Sequence, residues 1–142
     1  MLVGSSALDA MVRTMSGEAR GESPTGQAAV AWVILNRARY RPAAWWGSNV
    51  YDVCHKRLQF SCWNGGPNTE HIEALEWASK EYSELEDIAL SVLLGNTPDP
   101  TGGATFYQVT GTNAPWSRGK LPCAIIGHHS FYRLPPDATE TT

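Results

Sequence analysis

The sequence predicts an α+β domain, predominantly helical with a small antiparallel sheet, on three observations. Two N-terminal segments carry helical periodicity behind capping signals, a long central stretch continues it, and only the last third alternates like short strands. With 142 residues, 42% hydrophobic and 18% charged, the chain can bury one core and is too apolar to be disordered. The expected organisation is a single domain over residues 1–134, then a flexible tail, 135–142, that opens on two prolines.

The first helix is expected to start near Ser6, where Ser6 and Asp9 fit an N-terminus with early negative charge. Its apolar stripe, Leu8, Met11 and Met15, continues at the same spacing to Glu18 and Glu22. A stripe that begins as core therefore ends in two carboxylates, expected on one helical face. Gly21 weakens the helix there, and Ser23-Pro24 restarts it as a cap followed by proline at the first helical position. The second helix, Pro24 to Arg39, is apolar on most faces, the pattern of a central helix packed on several sides.

Tyr40 to Tyr51 reads as an aromatic-rich connection. Asp52 to Asn64 reads as extended around Leu58 to Trp63, closed by the turn Gly65-Gly66-Pro67-Asn68. Thr69 to Leu94 follows as helix. Ser83 and Glu86 form a capping box that puts a break near Tyr82, and Gly95-Asn96 is the stop. Thr105 to Val109 and Ala124 to Phe131 read as short strands.

Composition excludes several functions. Eleven basic and 14 acidic residues leave a net charge of −3, without the clustered Lys and Arg of a nucleic-acid footprint. No segment approaches the roughly 18 apolar residues of a membrane span. Residues 1–14 lack the pattern of a secretory signal, so synthesis in the cytoplasm is expected, with another agent delivering the protein to any outside substrate. Three cysteines make no disulfide framework. Cys54 and Cys62 could bridge, but reduced thiols are the expectation without a signal. His55, His71, His128, His129 and the cysteines show no ligand spacing of the His-Glu-x-x-His kind, so neither metal nor other cofactor is expected.

Glu18 and Glu22 carry the chemical interest. Glycosidic cleavage needs a carboxylic acid still protonated near neutral pH, and apolar surroundings disfavour the ionised form of such a group. Spacing alone equally describes a solvated surface pair with Arg20 or Arg37 as partners, which is the commoner case. Longer motifs bear on the choice. The run Ser16-Gly17-Glu18-Ala19-Arg20-Gly21-Glu22 is followed by Gly26-Gln27-Ala28-Ala29-Val30-Ala31 and Val33-Ile34-Leu35-Asn36-Arg37. Then come Gln59-Phe60-Ser61-Cys62-Trp63-Asn64, Asp99-Pro100-Thr101-Gly102-Gly103-Ala104-Thr105-Phe106-Tyr107 and Ile126-Gly127-His128-His129-Ser130-Phe131. In this order, from about Ala10 to Tyr132, the chain resembles the spore cortex-lytic type of cell-wall hydrolases.

That resemblance implies a lysozyme-like fold and cleavage of the β-1,4 bond between N-acetylmuramic acid and N-acetylglucosamine in peptidoglycan. It places the catalytic glutamate, first of the Gly-Glu-Ala-Arg-Gly-Glu motif, on Glu18. The Gln-Phe-Ser segment would be a sheet edge lining the cleft and contributing Gln59 and Ser61. Glu22, Trp63, Thr105, Tyr107 and His129 complete the expected substrate-binding set, with His129 also read as a structural histidine bonded to backbone. Phe106 departs from the third motif, where His or Tyr is expected. Of the aromatics, Trp63 or Tyr107 is expected in the cleft, while Trp45, Trp46 and Trp116 read as packing.

A lytic transglycosylase can work with one acid. An ordinary hydrolase wants a second carboxylate, about 5 Å away if retaining and roughly 6.5–9.5 Å if inverting. Glu22, expected on the same helix, is poorly placed to flank a sugar ring. It reads instead as a neighbour that tunes Glu18 by like-charge repulsion or hydrogen-bonds the strand. Two other readings stay open. One is a cysteine-dependent peptidoglycan peptidase or amidase using Cys62 with His128 or His129, although Cys62 reads as a buried strand thiol. The other is an inert peptidoglycan-binding virion module. The expected partner is the glycan strand, with no nucleic acid, met by a monomer that a holin or phage-like particle delivers to the wall (periplasm) in the manner of an endolysin.

Overall fold

The computed structural model describes residues 6–41, 45–56 and 59–141. Helix α1, Ala7–Ala19, begins where its cap chemistry dictates: extended Ser6 accepts a hydrogen bond from the Asp9 amide. Met11 and Met15 are fully buried, as the stripe requires. The helix ends at Ala19, however, and the Glu22 amide turns back to the Ala19 carbonyl at 2.9 Å. Glu22 therefore lies in the bend before the next helix, and the face expected to carry both glutamates does not form. The competing signal is Ser23, which caps helix α2, Pro24–Arg39, by accepting from the Gly26 amide. Helix α2 is the central element, packed against α1 and the later helices, with ten of its residues buried.

The extended reading of Asp52 to Asn64 is not what forms. Asn49 accepts from the Asp52 amide at 2.9 Å and caps a short helix α3, Val50–His55, whose Val50, Val53 and Cys54 bury one side. Ser61–Trp63 is a 3-10 turn rather than a strand. Pro42 of the aromatic connection, and Arg57 and Leu58 of the expected strand, lie outside the described residues. Within that connection Trp46 is buried, edge-on to Tyr40 and Trp45.

Helix α4, Pro67–Ala74, and helix α5, Lys80–Leu93, divide the long helical stretch. The break falls at residues 75–79, ahead of Tyr82, and the cap is Ser79, not Ser83. A buried arginine explains the position. Arg13 Nη1 donates to the carbonyls of Ile72 (2.5 Å) and Leu75 (2.7 Å), so these acceptors serve α1. Gly95 ends α5 at φ +77°, a left-handed conformation that glycine adopts without strain.

Three strands follow: β1, Phe106–Val109; β2, Ala124–Ile126; and β3, His129–Tyr132. They pair antiparallel in the order β1-β3-β2. The register aligns Tyr107 with Phe131 and Ala124, and Val109 with His129 and Ile126, so these six side chains share one face. Phe106 and Tyr132 take the opposite face, where Trp116 packs. The tail expected to be loose forms a 3-10 helix, Pro136–Thr141, with Ala138 buried. Among the described residues, no helix is long and apolar enough to cross a membrane.

Arg13 joins three helices. Its Nε donates to both Asp9 oxygens at 3.0 Å, and Asp9 also accepts from Trp77 Nε1 (3.0 Å) and the Tyr82 hydroxyl (2.6 Å). Removing one partner of such a buried pair leaves the other charge uncompensated. Arg13→Met is expected to lower stability by about 3–5 kcal/mol, read from urea unfolding.

Candidate active site

Glu18 occupies the last turn of α1, half-buried, and three segments converge on it. The first is α1 itself. Gly17, just before Glu18, has no Cβ; one built there would collide with the Cys62 Cβ and stand 2.8 Å from its sulfur. Glycine therefore lets the Ser61–Trp63 turn lie directly on the helix, and the Cys62 amide donates to Glu18 Oε2 at 3.3 Å. The third segment is β1, from which the Tyr107 hydroxyl donates to Glu18 Oε1 at 2.5 Å. Burial first, then the adjacent Glu18 charge, hold the Tyr107 phenol well above its ordinary pKa, so it remains a donor. Both carboxyl oxygens thus have a fixed partner.

The other expected residues divide. Trp63 stays half-buried, its Nε1 donating to Thr14 Oγ1 (2.9 Å) one turn before Glu18, with its ring 4.6 Å from that of His55. Gln59 and Ser61 flank the same turn, Ser61 exposed and Gln59 half-buried; they belong to no sheet edge. Thr105 does not reach the site. It is buried, its hydroxyl bonded to the Leu134 backbone in both directions, at 2.5 and 3.1 Å.

Glu22 serves the sheet instead of Glu18. Its Oε1 accepts from the His128 amide at 2.8 Å, and its Oε2 lies 2.6 Å from His128 Nδ1. The turn between β2 and β3 makes this possible: Gly127 sits at φ +58°, and a Cβ there would collide with Glu22 Oε1. The His128 amide is the largest influence lowering the Glu22 pKa below 4.5. His129 Nδ1 is buried, 3.8 Å from Glu22 Oε1 and without a hydrogen-bond partner, so the expected backbone bond at that nitrogen is absent. Its ring stands edge-on to Tyr107, and burial is the main cause of its lowered pKa.

Arg37 is the residue that sequence reasoning misplaced. Read as a surface partner of the glutamates, it is only 5% exposed. Its Nε donates to the Thr105 carbonyl at 2.7 Å, and its guanidinium lies 5.0–5.3 Å from the ring centres of Trp46, Phe60 and Phe106. The signal was its place on a helix apolar on most faces. Phe106, the departure from the third motif, is part of this cage.

Cys62 and Cys54 are buried free thiols, not a bridge. Burial pushes the Cys54 thiol up to about 12 and raises that of Cys62 as well, the opposite of what a nucleophile requires. Among the described residues, no group of three or more His, Cys, Asp or Glu is arranged to hold a metal ion. Cavities of about 410, 460 and 240 Å³ lie elsewhere, and Glu18 lines none of them.

A helical domain with a glutamate at a helix end, set against a three-stranded sheet, is a lysozyme-like α+β domain. The chain belongs to the cell wall hydrolase family, whose model matches residues 21–132; Glu18 precedes the matched stretch. The chain is 33% identical over 126 residues to the spore cortex-lytic enzyme of Halalkalibacterium halodurans, a match covering 85% of this chain and 33% of that one. It therefore spans about a third of that relative's length. The catalytic domain of the Bacillus cereus SleB protein superposes with a TM-score of 0.71 at 27% identity, covering 89% of each chain. The catalytic domain of germination-specific lytic transglycosylase SleB from Bacillus anthracis gives 0.69 at 26% identity, covering 89% of this chain and 93% of that one.

Two consequences are measurable. Gly17→Ala forces the Cys62 turn off α1 and is expected to cost about 1–3 kcal/mol in urea unfolding. Because folding lowers the Glu22 pKa, the stabilisation from that carboxylate is complete above 4.5 and fades as pH falls through the lowered value. Glu22→Gln should therefore melt below the parent at pH 7, with the gap closing in strong acid.

Proposed function

We propose that the domain cleaves the β-1,4 bond between N-acetylmuramic acid and N-acetylglucosamine of peptidoglycan by lytic transglycosylation, with Glu18 as the single acid. One observation carries this reading. Glu18, half-buried, is held at both oxygens, by Tyr107 and the Cys62 amide, while the nearest glutamate in sequence, Glu22, is bonded to His128. That division of labour supports the one-acid scheme, and the likeness to SleB catalytic domains supports the substrate class.

The chemistry needs a group that gives up a proton and later takes one back. The contact from Cys62 is the longer of the two, 3.3 Å against 2.5 Å, so Oε2 is the less tightly engaged oxygen, and we assign the donated proton to it. Glu18 donates it to the glycosidic oxygen as the bond from C1 of the muramic acid breaks, and the glucosamine leaves with a free hydroxyl. Positive charge develops at C1 beside the new carboxylate, which Tyr107 and Cys62 stabilise by donating to it. The carboxylate then accepts the proton of the muramic acid's 6-hydroxyl while that oxygen bonds to C1. The product is a 1,6-anhydro ring, Glu18 ends protonated, and no water is consumed.

Glu18→Gln is expected to slow the clearing of purified sacculi by about a thousandfold while leaving co-sedimentation with them intact. Mass spectrometry of the parent's digest should find anhydromuramyl ends. Hydrated reducing ends would replace transglycosylation with hydrolysis, and freed stem peptides would overturn the glycosidase reading altogether.

A further inference from the structure

The two fully enclosed arginines differ in how their charge is met. Arg13 lies against Asp9, whereas among the described residues no ion pair reaches Arg37. The Arg37 guanidinium has one backbone acceptor, the Thr105 carbonyl, three aromatic faces, and an Nη1 with no partner at all. Aromatic faces compensate a desolvated cation only in part. A buried charge without a counter-ion costs stability, so its presence calls for another reason.

The surroundings of Glu18 supply that reason. The titratable groups facing it are Tyr107 from β1, Cys62 from the 3-10 turn, Arg37 from α2 and His129 from β3. Burial keeps the Tyr107 phenol and the Cys62 thiol protonated, and it favours the neutral imidazole of His129. Burial lowers Arg37 too, but only to about 10, opposed by Tyr107, Glu18 and Cys54, so it stays a cation at neutral pH. Glu22, beyond His129, is engaged by His128.

We propose that Arg37 is a positioning residue for Glu18. Through the Thr105 carbonyl it holds the start of β1 so that Tyr107 stays on the carboxyl, and its charge stabilises the carboxylate that forms when the proton leaves. The proposal rests on Glu18 being the acid. One effect follows when the charge is removed and the apolar stem kept. The carboxylate is less stabilised, so the chemical step slows.

The test uses the purified chain and soluble glycan strands. Arg37→Met is expected to lower kcat about tenfold or more with KM within about twofold. Arg37→Lys keeps the charge and should restore most of the rate. If Arg37→Met fails to fold, as judged by circular dichroism, Arg37→Gln is neutral, retains a donor for the Thr105 carbonyl, and carries the same expectation. Neutral variants with parental kcat would overturn the proposal. So would a lysine variant as slow as the neutral ones, which is the signature of a purely structural role. An inactive Glu18→Gln beside a normal Arg37→Met sinks only this inference; an active Glu18→Gln sinks the reading beneath it.

Discussion

How closely the Ser61–Trp63 turn approaches α1 governs the rest of the site. Gly17 allows the contact, and hydrogen bonds on both sides hold it. Asn68 Nδ2 donates to the Gly17 carbonyl at 2.8 Å, and Thr69 Oγ1 donates to the Cys62 carbonyl at 2.7 Å. Trp63 reaches back to Thr14 on the preceding turn of the helix. The start of α4 is thereby tied to the end of α1, and the Cys62 amide is left pointing at a carboxylate. A side chain at position 17 would part these surfaces, and the carboxyl would lose one of its two fixed partners.

The sheet provides the other partner and is itself anchored twice. At one end, Arg37 holds the Thr105 carbonyl just ahead of β1. At the other, Glu22 grips the Gly127-His128 turn between β2 and β3. Both anchors come from the α1–α2 region, so the helices that carry Glu18 also set the height of Tyr107 above it. The two anchors differ physically: Glu22 is an ionised group with donors around it, whereas Arg37 is a cation whose neighbours are mostly carbon.

Legibility followed the range of the interactions involved. Helices α1 and α2 were readable because their caps and apolar stripes are local, and Ser6 and Ser23 bond where the pattern places them. The break before α5 was misplaced because Arg13, 59 and 62 residues away in sequence from the carbonyls it takes, decides where α4 stops. Residues 52–64 misled for a related reason. Their β-branched and aromatic content suits a strand, but Asn49 supplies a helix cap and the Cys62 turn is shaped by Gly17. Among the site residues, Tyr107 bonds the Glu18 carboxyl while Thr105, its neighbour but one, is consumed by the Leu134 backbone. No sequence pattern separates those two outcomes, since both residues alternate correctly.

By itself the sequence determined the fold class, the helix that carries Glu18, and the family to which the ordered motifs point, because periodicity, caps and motif order are properties of neighbouring residues. The tertiary structure alone decided what each functional side chain faces. It took Glu22 off the helix and gave it to a hairpin, placed Tyr107 and a backbone amide on the Glu18 carboxyl, and buried Arg37 behind them. Those outcomes depend on contacts between segments 40 to 110 residues apart, about which the local pattern carries no information.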